Sequence, residues 1–343
     1  MPQWRESSLS SSTTDSAGGL PSRPGGSTSS GSAELYHRVF MRLAYNGSGF
    51  HGFAFQPDCR TVAGVLMDAM KSITYKCSGI VCAGRTDAGV HARDQVIHVD
   101  IDANRLVSPG SIARSLNKML SPEVVILQAG MAPAGFDARH SAKSRSYMYT
   151  IMNTLHPDPL LERQVWHVGT PLDVRSMRTA ADCILGVHDF SAFCRRKKGD
   201  KSGAPIIREV LDTRLVLRRW DERWWYGDEV RIGGELGSEG RIENKSQAGC
   251  AGSINSGNVI TFEVTAKSFC HQMVRSLVGM LVEVGKGKRA PADVYSLLQG
   301  HSRVSSVAPP EGLCLSRVDY DGIELLGEED VNLNWQRGSR IGL

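Results

Sequence analysis

The residues best arranged for chemistry lie in Ala83-Gly84-Arg85-Thr86-Asp87-Ala88-Gly89-Val90-His91-Ala92. An apolar run, Ile80 to Ala83, leads into this string, and an alternating run, Val96 to Asp100, follows it. The pattern predicts two strands joined by a tight turn with Asp87 at its tip. Gly84 and Gly89 lack a Cβ, so the turn can close sharply and admit another backbone. A bare Gly-x-x-Asp-x-Gly is most often an Asx turn or a helix N-cap, with the carboxylate bonded to nearby backbone N–H groups. Here an arginine stands two residues before the acid, which fits a reactive carboxylate held beside a cation.

Two further stretches carry groups that could serve such a carboxylate. In Ser144-Arg145-Ser146-Tyr147-Met148-Tyr149 the period of two puts Arg145, Tyr147 and Tyr149 on one strand face. Tyrosines are ordinary half-buried strand residues, and they are also a surface on which a nucleobase stacks, at about 1–3 kcal/mol per base. In Phe269-Cys270-His271-Gln272-Met273-Val274-Arg275 and onward to Gly279, the residues Phe269, Met273, Val274, Leu277, Val278 and Leu281 form an apolar helical stripe. His271, Arg275 and Gly279 fall four apart on another face. Arg275 reads either as a solvated charge or, amid such apolar neighbours, as half of a buried ion pair. Glycine within a helix costs about 1 kcal/mol relative to alanine, so Gly279 points to close packing.

These three stretches resemble, in order, the Gly-Arg-Thr-Asp-x-Gly-Val-His, Arg-x-Tyr-x-Tyr and Phe-x-x-x-Met-Val-Arg-x-x-Val-Gly motifs of tRNA pseudouridine synthases of the TruA family. Phe136-Asp137-Ala138-Arg139 and Glu311-Gly312-Leu313-Cys314-Leu315 resemble two weaker family motifs, and the resemblance covers about residues 38–321. It implies that Asp87 is the catalytic nucleophile, that Tyr147 packs on the target base, where it can also assist proton removal, and that Arg275 pairs with Asp87 and favours its charged form. It further implies that Arg85 helps displace the base, with Thr86 and His91 shaping the loop. The implied activity is isomerisation of uridine to pseudouridine at positions 38, 39 and 40 of the anticodon stem-loop, without metal or cofactor. The implied assembly is a homodimer whose tRNA spans both subunits. The chain departs from the family at Gly52-Phe53-Ala54, where Gly-Trp-Gln is usual, and from Cys194 to Ile207.

Two other classes fit parts of the pattern. A non-catalytic RNA-binding protein of two RRM-like units would carry aromatic Gly-Phe-Gly-Phe runs on its central strands, and none occurs. A retaining glycosidase needs a second carboxylate about 5–5.5 Å from the first, and only one acid sits in a motif.

The elements that must position these residues follow from periodicity. Alternation over Val39 to Tyr45 predicts a strand facing the core with Val39, Met41, Leu43 and Tyr45. Val62 to Ile73 is spaced as a helix, Ile112 to Leu120 as a second, and Val124 to Leu127 as a strand. The order strand, helix, strand, strand, helix, strand is that of ferredoxin-like and RRM domains. A second unit begins near Ser144. It has strands at 147–152, 210–217, 259–266 and 313–318 and helices at 174–185, 271–284 and 291–298, with Gly285 placed to cap the second helix. The expected fold is α+β, two RRM/ferredoxin-like units with antiparallel sheets joined around a central cleft. Residues 35–143 form the first unit and 144–325 the second, with an insertion at about 220–258. A Ser/Gly-rich tail at 1–34, with little to bury, is expected to be disordered, and 326–343 forms a C-terminal tail.

Composition agrees. The chain has 343 residues, 41% of them hydrophobic, and a formal net charge of +4. The longest apolar run, Leu277 to Val282, is too short to span a bilayer, so no membrane partner is expected. Mild basicity permits a local nucleic-acid patch, for which Arg195 to Lys198 with Lys201, and Lys286 to Arg289, are candidates. The 8 cysteines form no Cys-x-x-Cys or zinc-like spacing, so no structural metal, no disulfide framework and a cytoplasmic location are expected.

Overall fold

The computed structural model describes residues 36–73, 76–102, 108–196, 203–220, 257–299, 304 and 306–320. The tails at 1–34 and 326–343, and all but residues 220, 257 and 258 of the expected insertion, lie outside these residues.

The first half contains β1 (Tyr36–Tyr45), α1 (Val62–Ile73), β2 (Val81–Cys82), β3 (His91–Asp102), α2 (Pro109–Leu120) and β4 (Val124–Met131). The second contains β5 (Ser144–Thr154), β6 (Trp166–His167), α3 (Val174–Asp182), β7 (Gly186–Asp189), β8 (Ile207–Trp220), β9 (Gly257–Ala266), α4 (Met273–Gly285), α5 (Pro291–Leu297) and β10 (Leu313–Asp319). All strands belong to one 10-stranded sheet in the order β4-β1-β3-β10-β5-β9-β8-β7, with β2 on β3 and β6 on β5. The expectation of separate antiparallel sheets is corrected here. β10 runs parallel to β3 through Cys314–His91 and Leu315–Ala92, and β6 runs parallel to β5. The last strand thus returns to the middle of the sheet and joins its two halves, a pairing that no local pattern encodes.

The helices start where their caps dictate. Thr61 Oγ accepts the Gly64 N–H at the head of α1, Ser108 caps α2 ahead of Pro109, and Asp173 accepts from the Arg175 and Ser176 amides of α3. Val62, Leu66, Ala69 and Met70 of α1, with Ile112, Ala113 and Leu116 of α2, turn one buried stripe to the sheet. Phe40 departs from the alternation expected of β1. It is buried with Val39 and Met41 because Phe136 packs edge-on against it, ring centroids 6.4 Å apart.

The termination of α4 corrects another expectation. Gly285 is the last helical residue, and a Cβ there would sit 2.7 Å from Met177 Sδ. The residue that turns the chain is Gly287, at φ +69°. Its N–H donates to the Val284 carbonyl while that of Lys288 donates to Glu283, the paired bonds of a Schellman motif. At Gly279 the expected close packing is present, since a Cβ would lie 2.4 Å from the Ser306 carbonyl oxygen. The segment through Ser306 and Ala308 therefore crosses directly over α4.

Candidate active site

Asp87 lies in the turn between β2 and β3. The turn is held from below by its own neighbours. Gly89 adopts φ +78°, a left-handed conformation that a side chain resists, and Val90 N–H donates to the Asp87 carbonyl. The Thr86 carbonyl accepts from Phe53 N–H, so the chain after β1 is tied to the loop where the family's usual tryptophan is replaced.

Two groups meet the carboxylate, and a pair of aromatic rings stands beside its loop. Arg275 Nη1 lies 3.3 Å from Asp87 Oδ2, and His271 Nε2 lies 3.4 Å from Oδ1. The tyrosine phenol comes to the loop from β5, where a Cβ built on Gly84 would meet Tyr147 Oη at 3.5 Å. Phe269 packs edge-on against the Tyr147 ring, centroids 5.0 Å apart. Burial, and next the negative charge of Asp87, push the Tyr147 phenol well above its usual value, so it keeps its proton. Side-chain exposure is 15% for Arg275, 30% for Asp87 and 50% for His271, a gradient from the core to solvent.

The arginine is aimed by the segment that crosses α4. Arg275 Nε donates to the Ala308 carbonyl at 2.8 Å, and Ala308 N–H donates to the Arg275 carbonyl. The absence of a side chain at Gly279 lets that segment come close enough to do so. The same stretch accepts the Tyr149 hydroxyl at Pro309 and the Nε2–H of His91 at Glu311, while Gly47 N–H donates to His91 Nδ1. The ring thus needs its neutral form, and burial lowers its pKa in agreement.

The structure brings Asp87, Tyr147 and Arg275 together and leaves Arg85 exposed beside the loop. The charge of Arg85 is felt at Cys82, whose thiol burial nevertheless pushes up to about 11. Helix α4 starts two residues later than its apolar stripe predicts, so His271 sits in the turn before it. Gln272 there has φ 64°. Cys270 is disulfide-bonded to Cys194. The cysteine spacing gives no sign of this one bridge, and no disulfide framework is expected from it, because residues 76 apart in sequence are brought together only by the fold. The bridge and a hydrogen bond from Arg195 N–H to the His271 carbonyl fasten the segment that carries Phe269 and His271.

Gln95 holds the Asp87 loop and is missed by motif reading. It is fully buried in β3. Its Nε2 donates to the Gly84 carbonyl at 2.6 Å and to Tyr45 Oη at 3.4 Å, and its Oε1 accepts Gly84 N–H at 3.3 Å. Tyr45 Oη and Thr86 Oγ1 share a 2.8 Å bond. The signal was present as one amide in the apolar alternation Gln95, Ile97, Val99, Ile101. Replacing Gln95 with Leu strands both polar groups of Gly84, at about 1–3 kcal/mol each, and loosens the Asp87 loop. A loss of about 10²-fold in kcat with little change in KM is expected. Steady-state assay of Gln95→Leu beside Gln95→Glu checks this, and equal kcat in wild type and Gln95→Leu would show the clamp to be unnecessary.

A carboxylate on a glycine turn, bracketed by a guanidinium and an imidazole under an aromatic strand, is equipped for nucleophilic or acid–base work, and the mixed sheet that carries it is compatible with a pseudouridine synthase fold. Comparison with known sequences agrees. The tRNA pseudouridine synthase family profile matches residues 180–321. A tRNA pseudouridine synthase A of Halalkalibacterium halodurans is 32% identical over 298 residues, covering 86% of this chain and 97% of that protein. Proteins of the same name from Leifsonia xyli and Moorella thermoacetica are each 36% identical, each over 82% of this chain and over 91% and 98% of their own lengths. The chain belongs to the tRNA pseudouridine synthase A family.

Proposed function

We propose that this protein isomerises uridine to pseudouridine in tRNA, at positions 38, 39 and 40 of the anticodon stem-loop, with Asp87 as the nucleophile. The observation that carries the reading is the pairing of Asp87 with Arg275 beside Tyr147 on the family's own motifs. In the reaction the N1–C1′ bond breaks, the uracil turns, C5 bonds to C1′, C5 loses its proton and N1 gains one. Arg275 pairs with the carboxylate and aims it. Tyr147 supplies aromatic surface to the flipped base, whose extrusion costs a few kcal/mol. Arg85, exposed at the loop, pushes into the stem and displaces the base.

The glycosidase reading is not favoured, because among the described residues the two Asp87 oxygens meet His271 and Arg275 rather than a second acid. The exposed Arg195, whose backbone binds His271, and the exposed Lys286 and Lys288 suit phosphate contact. Residues 35–143 and 144–325 act as two RRM-like halves around a cleft. The order β4-β1-β3-β2 supports this for the first half. The protein works in the cytoplasm as a homodimer. Leu185 just before β7, Val187 on that terminal strand, and Ile207 and Leu211 on adjoining β8 are exposed, where a second copy can cover them.

Pseudouridine mapping of tRNA from cells with and without the gene, followed by addition of the purified protein to the deficient tRNA, tests the function. Loss and restoration of pseudouridine at 38–40 is expected. Binding without conversion would leave only the RNA-binding alternative.

A further inference from the structure

We propose that His271 is the base that removes the C5 proton in the closing step, an inference that rests on the isomerase reading above. Once C5 has bonded to C1′, that carbon carries both the sugar and a hydrogen, and C6 is double-bonded to N1. A base takes the hydrogen as a proton. The C5–H electron pair becomes the C5=C6 bond, and the N1=C6 pair moves to N1, which takes a proton from water. The isomerisation has no net change of atoms or electrons, yet it needs one group that can accept a proton at the base and return it to solvent.

Few groups at the site qualify. Arg275 has no lone pair to offer. Tyr147 offers its ring to the base and, with Phe269 edge-on against it and Asp87 close by, holds its own proton. Asp87 has Oδ2 on Arg275 and is committed to the earlier bond breaking. His271 remains. Its Nε2 is 3.4 Å from Asp87 Oδ1, so a ring that reaches the carboxylate also reaches the imidazole. Half of the side chain is open to water, which lets the proton leave. An imidazole can accept a proton on one ring nitrogen while the other carries its own. Its position is nevertheless fixed, since the neighbouring Cys270 is bridged to Cys194 and its own carbonyl is bonded to Arg195 N–H.

The alternative is that His271 only steadies Asp87, and two substrates separate the two roles. Purified wild type, His271→Gln, His271→Ala and Asp87→Asn are given tRNA carrying either uridine or 5-fluorouridine at the target, in single-turnover reactions read by nucleoside mass spectrometry. With fluorine on C5 there is no proton to remove, so the reaction stops at the C5-linked fluoro product, seen with or without one added water. For His271→Gln, pseudouridine formation is expected to fall by about 10²-fold or more, while the fluoro product forms at close to the wild-type rate. Imidazole in the buffer should restore pseudouridine formation by His271→Ala. Equal loss on both substrates would assign His271 to positioning, and an unchanged rate on uridine would remove it from the chemistry, so either result overturns the proposal. Asp87→Asn is expected to fail on both substrates, and its retained activity would instead sink the underlying reading.

Discussion

Replacement of Asp87 by Asn is expected to abolish pseudouridine formation, lowering the single-turnover rate by at least about 10⁴-fold, while tRNA binding stays close to that of wild type. Asparagine has nearly the same shape and can still meet the groups around it, so the loop should keep its course. What it lacks is a negative oxygen able to attack carbon or to stabilise developing positive charge. Loss of a lone nucleophile costs several orders of magnitude in other enzymes, and 10⁴-fold corresponds to about 5.4 kcal/mol of barrier. The contacts that hold the turn do not involve this carboxylate. They run through Gln95 to Gly84, Tyr45 to Thr86 and Phe53 to the Thr86 carbonyl. Thermal unfolding should therefore move little. Rate and binding measured on the same preparation check the prediction, and a rate within tenfold of wild type would remove Asp87 from the nucleophile role.

The second large effect is expected from Arg275→Met. Methionine fills a similar volume in the apolar surroundings of α4 but removes two bonds at once, Nη1 to Asp87 and Nε to the Ala308 carbonyl. The carboxylate then loses its fixed cation and the contact that aims it. Removing one preorganised donor from a reacting centre typically costs about 10²–10³-fold. A loss of about 10³-fold in kcat is expected, with a smaller loss for Arg275→Lys, because an ammonium keeps the charge but cannot reach both acceptors as the planar guanidinium does. The double variant with Asp87→Asn should be no slower than Asp87→Asn alone, since the arginine acts through the carboxylate. Additive losses would mean that Arg275 works on something else.

Much of this site is readable locally. Each of the three motifs is a continuous stretch, and its chemistry follows from side chains a few residues apart: glycines around an acid, tyrosines two apart on a strand, an arginine and a glycine four apart on a helix. Periodicity locates α1, α2 and most strands for the same reason, because one buried face imposes a spacing that survives any arrangement of neighbours. The places where local reading fails share a cause. Phe40 is buried because Phe136 reaches across it. Cys194 finds Cys270 from another element. Gly287, not Gly285, caps α4, because the chain turns to positive φ there, while Gly285 is a glycine because Met177 leaves no room for a side chain.

The chain's residue types and their short-range order thus settle which groups can react and which strands and helices carry them. Only the folded sheet decides that His271 touches the second oxygen of Asp87, that Gln95 clamps the loop, and that β10 closes the two halves parallel to β3. The reason is physical. Hydrogen bonds and ion pairs between residues some 11 to 220 positions apart depend on distances that the packing of the sheet and helices sets, and no spacing along the chain contains them.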